Sequence, residues 1–142
     1  MKEKDVAEHF NTRDPFARLL GIRVVEVGEG SSKARMDLTE ELTNGLRMAH
    51  GGAIFSLADL AFAAAANSSG RTSVAVSVCI TYTRPVYSGT MTAEAREVSR
   101  GRKLGTYVVT VTNQDGEVCA QFQGTAYNKE EPRQTGPSGP ES

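Results

Sequence analysis

Metal-binding and disulfide-forming residues are scarce in this sequence and do not cluster. The chain has two cysteines, Cys79 and Cys119, both in strand-like segments, and two cysteines make neither a disulfide framework nor a metal motif. His9 and His50 are far apart, and no His, Cys and Asp residues share the spacing of a ligand set. We therefore expect no zinc or iron site and no bound metal.

An excess of one charge and a leading apolar segment are missing as well. The formal net charge is −1 and the isoelectric point about 6.1, so no basic excess indicates a nucleic acid or an anionic membrane as the main partner. The first ten residues, MKEKDVAEHF, lack the apolar core of a signal peptide. We expect a cytoplasmic protein, and 142 residues suffice for one domain that buries a helix in a sheet.

The most apolar stretch runs from Gly51 to Asn67 and is rich in alanine, leucine, isoleucine and phenylalanine. Ala and Leu favour a helix, and Asn67 with the following Ser-Ser-Gly is typical of a helix end. At 1.5 Å per residue such a helix is roughly 25 Å long, slightly short for a bilayer, and it carries an acid in its middle. Because it is apolar on every side, the pattern predicts a buried core helix.

Asp59 is the anomaly in this helix, since Ser56 is the only other polar side chain before Asn67. Burying an unpaired carboxylate costs several kcal/mol. An acid at this position therefore lies at an interface, finds hydrogen-bond donors, or is kept for chemistry.

Helices and strands flank the central helix. Residues 1–20 are predicted as two helical pieces, the second beginning at an Asp14 N-cap with Pro15 in its first position. The last four strand-like runs are joined by short connections with glycine, which predicts an antiparallel meander. Alternating patterns predict strands at residues 22–27 and 33–38. Runs dominated by Thr, Val and Tyr predict strands at residues 73–84, 90–99, 104–113 and 117–128.

This order of elements predicts an α+β fold in which an antiparallel sheet curls around one helix, as a single domain over residues 1–128. Residues 129–142, KEEPRQTGPSGPES, have nothing to bury and are predicted to be a disordered tail. Apolar residues on both faces of the late strands indicate that subunits associate.

Asn44-Gly45, His50-Gly51-Gly52 and Asp59 form a pattern that resembles the signature of hotdog-fold acyl-CoA thioesterases, most closely the phenylacetic acid degradation (PaaI) group. The helix HGGAIFSLADLAFAAAANSSG, the later TYTRP and QFQGTAY segments and the basic hairpin tip also fit, so the resemblance covers about residues 15–128. It implies a hotdog fold, a curved antiparallel sheet around one long helix. It also implies dimers that join two sheets edge to edge, and usually tetramers built as dimers of dimers.

In the active sites that the resemblance implies, the carboxylate of one subunit faces the helix start of the other. Gly51 then polarises the thioester carbonyl through its backbone N–H. Asp59 acts as general base for water, or as a nucleophile that passes through a mixed anhydride. The plainer interpretations are that Gly51-Gly52 permits a tight start of the helix and that Asp59 is bound by backbone donors at the interface.

Three further residues have implied roles and plainer alternatives. Asn44 holds the attacking water or the thioester, or it forms an ordinary turn with Gly45. His50 serves as a catalytic acid or, as we favour, hydrogen-bonds the loop and fixes Gly51 in place. Ser77 lies where some relatives have a Ser or Thr that contacts the water or thioester, although a plain strand serine describes it better.

Basic residues near a hairpin tip are the candidates for binding the coenzyme A phosphates. Arg100, Arg102 and Lys103 surround Gly101, and Arg84 is a further candidate, whereas most basic tips are simply solvated. Coenzyme A is part of the substrate, so the resemblance implies no separate cofactor.

The implied function is hydrolysis of aryl acyl-CoA, such as phenylacetyl- or hydroxyphenylacetyl-CoA, or of medium-chain acyl-CoA. A hotdog hydratase or dehydratase is one alternative, but those enzymes carry a His-Phe-Pro-Gly stretch that is absent here. A non-catalytic acyl-CoA-binding protein is another, but the first 20 residues are too short for a DNA-binding output device. The sequence does not identify the acyl group, because the resemblance implies a pocket that residues of two subunits form.

Overall fold

The computed structural model describes residues 3–129 and shows helices and strands close to the predicted ones. The helices are α1 Glu3–Arg13, α2 Pro15–Leu20 and α3 Gly51–Ala66, with a short 3-10 turn at Glu40–Leu42. The strands are β1 Arg23–Gly28, β2 Ser31–Asp37, β3 Ser73–Tyr82, β4 Thr90–Arg100, β5 Leu104–Thr112 and β6 Val118–Asn128. The tail predicted for residues 129–142 lies outside the described residues, apart from Lys129.

All six strands form one antiparallel sheet in the order β1-β2-β4-β5-β6-β3. Together with α3, this sheet confirms the predicted α+β hotdog architecture. The meander predicted for the last four strands is wrong between β3 and β4. Strand β3 pairs with β6, from Ser73 opposite Asn128 to Tyr82 opposite Ala120, and β4 pairs with β2.

Residues 83–89 account for this difference, because they carry the chain from the β3 edge to the centre of the sheet. Pro85 lies within this connection, where it cannot donate to a strand ladder. The Val86 carbonyl accepts from the Ala49 N–H at 2.8 Å, and the Gly89 carbonyl accepts from the Leu38 N–H at 2.9 Å. These bonds tie the connection to the loops around α3, so β4 begins beside β2.

Helix α3 packs against the inner face of the curved sheet and fills the core. Ten of its sixteen residues are buried. Phe62 lies against Tyr107 and Phe122, with ring centroids 5.5 and 5.6 Å apart. Gly124 allows this close approach, since a Cβ there would lie 2.9 Å from Phe62 Cζ. None of the helices in residues 3–129, α3 included, is long and apolar enough to cross a membrane.

One side of α3 is not covered. Gly52, Phe55, Ser56, Asp59 and Ala63 are half-buried or exposed, and they recur at three- and four-residue intervals, so they share one face of the helix. We call these five residues the accessible stripe. The prediction of a helix buried on every side is therefore wrong within a single chain, because the described residues leave the accessible stripe open.

Helix α2 begins and ends as its sequence predicts. Asp14 accepts from the Ala17 N–H at 3.0 Å, Pro15 is the first helical residue, and Gly21 ends the helix with a φ of 76°. The apolar side chains of Phe16 and Leu19 in this helix do not enter the core, because these residues are 58% and 77% exposed. The helix packs on the core through the buried Ala17 and the partly buried Leu20.

The two edges of the sheet differ. On the β1 edge, Asn11 of α1 donates from Nδ2 to the Val24 carbonyl at 3.0 Å and accepts from the Val24 N–H at 2.8 Å. This carboxamide takes the hydrogen bonds that a further strand would form, which closes the edge. On the β3 edge no further strand of the described residues follows. The exposed large side chains of this strand are Val74, Val76, Val78 and Tyr82.

Candidate active site

The first turn of α3 leaves one backbone N–H available. His50 caps the helix, since its Nδ1 accepts from the Gly52 N–H at 2.8 Å. The His50 carbonyl accepts from the N–H groups of Ala53 and Ile54 at 2.9 and 3.1 Å. The Gly51 N–H has no acceptor among residues 3–129. Because it shares a peptide group with the His50 carbonyl, the two bonds to that carbonyl strengthen it as a donor.

The side chain of His50 caps the first turn of α3, and its role in the site, as a positioning residue or as a catalytic acid, stays a prediction. Its Nδ1 is an acceptor, so a neutral ring carries its proton on Nε2. A Cβ on Gly52 would lie 3.1 Å from this Nδ1, so the glycine leaves room for the cap. The tight helix start and an accessible Gly51 N–H are thus compatible.

Asn44 forms a turn and still has a free amide. Its Oδ1 accepts from the Leu46 N–H at 2.8 Å and the Met48 N–H at 3.4 Å, while its own N–H donates to the Met48 carbonyl at 2.9 Å. The turn places Arg47 at a φ of 64°. The Nδ2 group has no acceptor among residues 3–129, so it remains available as a donor. The turn interpretation and the site interpretation are therefore both possible for the same side chain.

A cavity of about 400 Å³ brings Asn44 and Gly51 together. Arg84 lines it as well, while its Nη1 lies 3.7 Å from Glu117 Oε2. Tyr82 also lines it, and its hydroxyl donates to the Gly51 carbonyl at 2.9 Å. Tyr82 is not among the site residues predicted from the sequence. The sequence feature that could have indicated it is its position in the TYTRP segment. The other lining residues are Met48, Ala49, Ile54, Thr83 and Pro85.

Asp59 lies on the accessible stripe of α3 and does not line this cavity. No donor among residues 3–129 hydrogen-bonds to its carboxylate. Burial, and secondarily the negative charge of Asp14, raise the pKa of the Asp59 carboxyl above its ordinary value. The carboxylate is thus partly desolvated, unpaired and open on one side, which suits a base that meets its substrate from outside the chain.

Ser77 is exposed on the open edge strand β3. It follows a bulge, since the pairing of β3 with β6 shifts between Ala75 and Ser77. Its hydroxyl has no hydrogen-bond partner among the described residues, and a single chain does not bring it into the cavity at Gly51.

The basic candidates lie at opposite ends of the sheet. Arg84 is at the Tyr82 end of β3, whereas the tip between β4 and β5 is at the Ser73 end. Arg100 is held by carboxylates, with Nε donating to both Glu97 oxygens at 3.1 and 3.2 Å. Its Nη2 also lies 3.8 Å from Glu29 Oε2. Arg102 and Lys103 are exposed and form no salt bridge within residues 3–129.

A metal centre is not apparent in the described part of the chain. No group of three or more His, Cys, Asp or Glu side chains there is arranged to hold an ion. Cys79 is exposed on β3, and Cys119 is buried with its Sγ 3.4 Å from the Val111 carbonyl. The expectation that no metal is bound stays a prediction.

Comparisons with known proteins agree with this fold. Residues 47–120 match the family model of the thioesterase superfamily. An Archaeoglobus fulgidus protein described as a putative esterase is 41% identical over 89% of this chain and 82% of its own length. Acyl-coenzyme A thioesterase PaaI from Escherichia coli is 38% identical over 80% of this chain and 82% of its own length.

Solved structures agree as well. The structure of the Escherichia coli PaaI protein from the phenylacetic acid degradation operon superposes with a TM-score of 0.87 at 35% identity, covering 90% of this chain and 94% of that one. A variant of the phenylacetic acid degradation protein PaaI from Thermus thermophilus superposes with a TM-score of 0.78 at 34% identity, covering 82% of this chain and 100% of that one.

A curved antiparallel sheet around one helix, together with these matches, places the chain in the class of hotdog-fold thioester hydrolases. More particularly, the chain belongs to the thioesterase superfamily, and its relatives include PaaI proteins. The expectation of a thioester hydrolase is confirmed by this membership.

Asp59→Asn should make the protein more stable at neutral pH. Because the pKa of Asp59 is raised, the folded protein binds more protons than the unfolded chain, and its charged form is disfavoured. This penalty is fully present above the raised pKa and disappears below about 3.8, the ordinary pKa of an aspartate. We expect the variant to melt at a higher temperature than the wild type near neutrality, with the difference vanishing in acid.

Asp115→Asn is the matched control, because Asp115 is an exposed carboxylate in the turn before β6. Its removal should leave the melting temperature nearly unchanged across the same pH range. A loss of stability in Asp59→Asn at neutral pH would show that the carboxylate is held by donors and not merely desolvated.

Proposed function

We propose that the protein hydrolyses acyl-CoA thioesters to the free acid and coenzyme A. The acyl part is an aryl group, such as phenylacetyl or hydroxyphenylacetyl, or a medium-chain acyl group. The observation that carries the proposal is that the available Gly51 N–H and Asn44 Nδ2 border one cavity, while the unpaired Asp59 lies on the accessible stripe of the same helix. The 38% identity to a protein described as an acyl-coenzyme A thioesterase supports a coenzyme A ester as substrate.

Asp59 is the general base in the proposed mechanism. It takes a proton from water, and the water oxygen attacks the carbonyl carbon of the thioester. The Gly51 N–H and Asn44 Nδ2 stabilise the oxyanion that forms. The C–S bond then breaks, and the sulfur of coenzyme A leaves with the proton held by Asp59. In the alternative path Asp59 attacks the carbonyl carbon itself and the C–S bond breaks, so that the coenzyme A thiolate leaves, and water then hydrolyses the resulting mixed anhydride to the free acid and the Asp59 carboxylate.

One chain alone does not complete this site. Asp59 follows Gly51 by eight positions on α3, about 12 Å along the helix axis. We therefore propose that two chains pair across their open β3 edges, so that Asp59 of one chain faces Gly51 and Asn44 of the other. The closed β1 edge and the exposed apolar side chains of β3 support pairing at this edge. Such dimers then associate further as tetramers.

The same pairing gives Ser77 a place in the site. Ser77 lies in the middle of the open edge strand, where two β3 strands related by a two-fold axis meet. Its unpartnered hydroxyl can there hold the attacking water beside Asp59. His50 contributes indirectly, because its cap orders the first turn that presents the Gly51 N–H.

Antiparallel pairing also brings the basic residues together. Two β3 strands related by a two-fold axis place the Ser73 end of one beside the Tyr82 end of the other. The basic tip lies at the Ser73 end, because Asn128, which pairs with Ser73, donates to the carbonyl of Arg102 at 3.4 Å. The tip of one chain thereby approaches the cavity of the other.

Arg84, Arg102 and Lys103 are therefore the proposed contacts for the phosphates of coenzyme A. Arg84 lines the cavity, and the two tip residues arrive from the second chain. Arg100 was predicted as a further contact, but Glu97 and Glu29 already neutralise much of its charge.

The purified protein should release free thiol from phenylacetyl-, hydroxyphenylacetyl- and medium-chain acyl-CoA. Asp59→Asn should lower kcat by at least about 10²-fold, the lower range for loss of a general base. A thiol-reactive dye measures the rate, and kcat/KM over a panel of acyl groups ranks the substrates. Asp115→Asn should retain wild-type activity. If the wild type releases no thiol from any ester, a hydratase or a non-catalytic binding protein becomes the better interpretation.

Mixing two inactive variants should restore activity if the site is shared. Asp59→Asn and Asn44→Ala each damage both sites of their own dimer, but a mixed dimer contains one site with both native side chains. Random assembly makes half of the dimers mixed, so we expect roughly a quarter of the wild-type rate. Thiol release before and after denaturing and refolding an equimolar mixture measures the recovery.

The control for this mixture is Asp59→Asn combined with the double variant Asp59→Asn/Asn44→Ala. No combination of those chains contains a native Asp59, so it should stay inactive. Failure of the first mixture to recover, with mixed dimers demonstrated by mass spectrometry, would contradict a site shared between chains.

The double variant Arg102→Ala/Lys103→Ala should raise KM for acyl-CoA several-fold and leave kcat nearly unchanged. The two charges act on phosphates that lie away from the thioester, and salt should reduce the difference. Acyl-pantetheine lacks the nucleotide phosphates, so its KM should not change. Arg13→Ala, at the end of α1, is the control for loss of surface charge. An equal loss with acyl-pantetheine would refute phosphate binding by the tip.

A further inference from the structure

Tyr82 joins the end of β3 to the first residue of α3. Its hydroxyl donates to the Gly51 carbonyl at 2.9 Å, and its ring borders the cavity that contains Asn44 and Gly51. The side chain is 48% exposed, so core packing does not account for its position. Its backbone is firmly placed, because Tyr82 pairs with Ala120 and the next residue donates to the Cys119 carbonyl at 2.9 Å.

The tyrosine ring also lies directly against the Cα of Gly51. A Cβ added at Gly51 would lie 3.3 Å from both Cζ and Oη of Tyr82, which is tighter than an ordinary van der Waals contact. Gly51 therefore leaves space for the ring as well as for a ligand. The ring in turn limits the directions from which a ligand can approach the Gly51 N–H.

We infer that Tyr82 is a positioning residue that restrains Gly51, through its carbonyl and the ring packed beside it, so that the Gly51 N–H on the preceding peptide group points at the thioester carbonyl. The inference rests on the proposed function. The first turn of a helix frays and glycine is the most flexible residue, so a donor at this position needs an external restraint. Tyr82 supplies it from a strand fixed in the sheet. Small misplacements of a catalytic group cost rate without weakening substrate binding.

Tyr82→Phe separates the hydrogen bond from the ring. The variant keeps the ring against Gly51 and loses only the hydroxyl, so kcat should fall about 3- to 10-fold, the size of one hydrogen bond, with KM nearly unchanged. The melting temperature should stay close to that of the wild type, since the bond is at the surface. Tyr87→Phe is the matched control, because Tyr87 is 65% exposed and its hydroxyl has no partner among the described residues.

Gly51→Ala combined with Tyr82→Ala tests the contact itself. In the wild-type background the new methyl group presses on the tyrosine ring, so the ring and its hydrogen bond to Gly51 must shift by a few tenths of an ångström, whereas in the Tyr82→Ala background the methyl group has room. The loss of kcat caused by Gly51→Ala should therefore be at least about 3-fold smaller when Tyr82 is absent, which is the non-additivity of residues in contact. Additive losses would mean that the two residues act independently.

Amide hydrogen exchange gives a readout that does not depend on activity. Tyr82→Phe should speed exchange at the first-turn amides of Gly52, Ala53 and Ile54 and leave the middle of α3 unchanged. If the wild type cleaves acyl-CoA but Tyr82→Phe matches it in kcat and in exchange, the positioning role is refuted and the proposed function stands. If the wild type releases no thiol, the proposed function fails and the positioning role with it.

Discussion

The packing of α3 on the curved sheet is the constraint on which the rest of the structure depends. Phe62 fills the space above Gly124, between Tyr107 and Phe122, and so fixes the rotation of the helix about its own axis. Turning the helix would expose Leu57 and Phe62, each worth about 1.5–3 kcal/mol when buried. The same rotation decides that Asp59 faces outward along the accessible stripe. The direction of the candidate base therefore follows from the core.

The sequence predicts the elements of this fold but not all of their neighbours. Alanine-rich composition and glycine punctuation locate α3 and six strands, because these signals are local. The position of β3 beside β6 is not local, since residues 83–89 are held by bonds to Ala49 and Leu38 from elsewhere in the chain. The accessible stripe has a similar cause. The apolar side chains of Phe55 and Ala63 are typical of a core, but the described residues leave both only half-buried.

The candidate site likewise combines residues that the sequence predicts with contacts that it does not predict. The Asn44, His50, Gly51 and Asp59 pattern is recognised by its resemblance to a family signature, and the geometry shows how Asn44 forms a turn through Oδ1 while Nδ2 stays available. The sequence does not predict the contact of Tyr82 with Gly51, because the two residues are 31 positions apart in the chain. The sequence predicts Asp14 as the N-cap of α2, but it does not predict that the negative charge of Asp14 raises the pKa of Asp59, because the two residues are far apart in the chain. A contact between distant segments gives no local signal in the sequence of either segment.

The β3 edge of the sheet is unprotected, and it is also the edge at which we propose that two chains complete the active site. An edge strand usually carries a charged residue that prevents pairing, but β3, SVAVSVCITY, has none, and only its bulge interrupts the ladder. The β1 edge is closed by Asn11, so the chain controls one edge and leaves the other available. In the proposed dimer, a second copy on β3 would cover the exposed valines and bring Asp59 to a helix start that its own chain does not reach. The proposal therefore assigns two roles to the same strand, because the edge that exposes apolar side chains is also the edge at which two chains would complete the site.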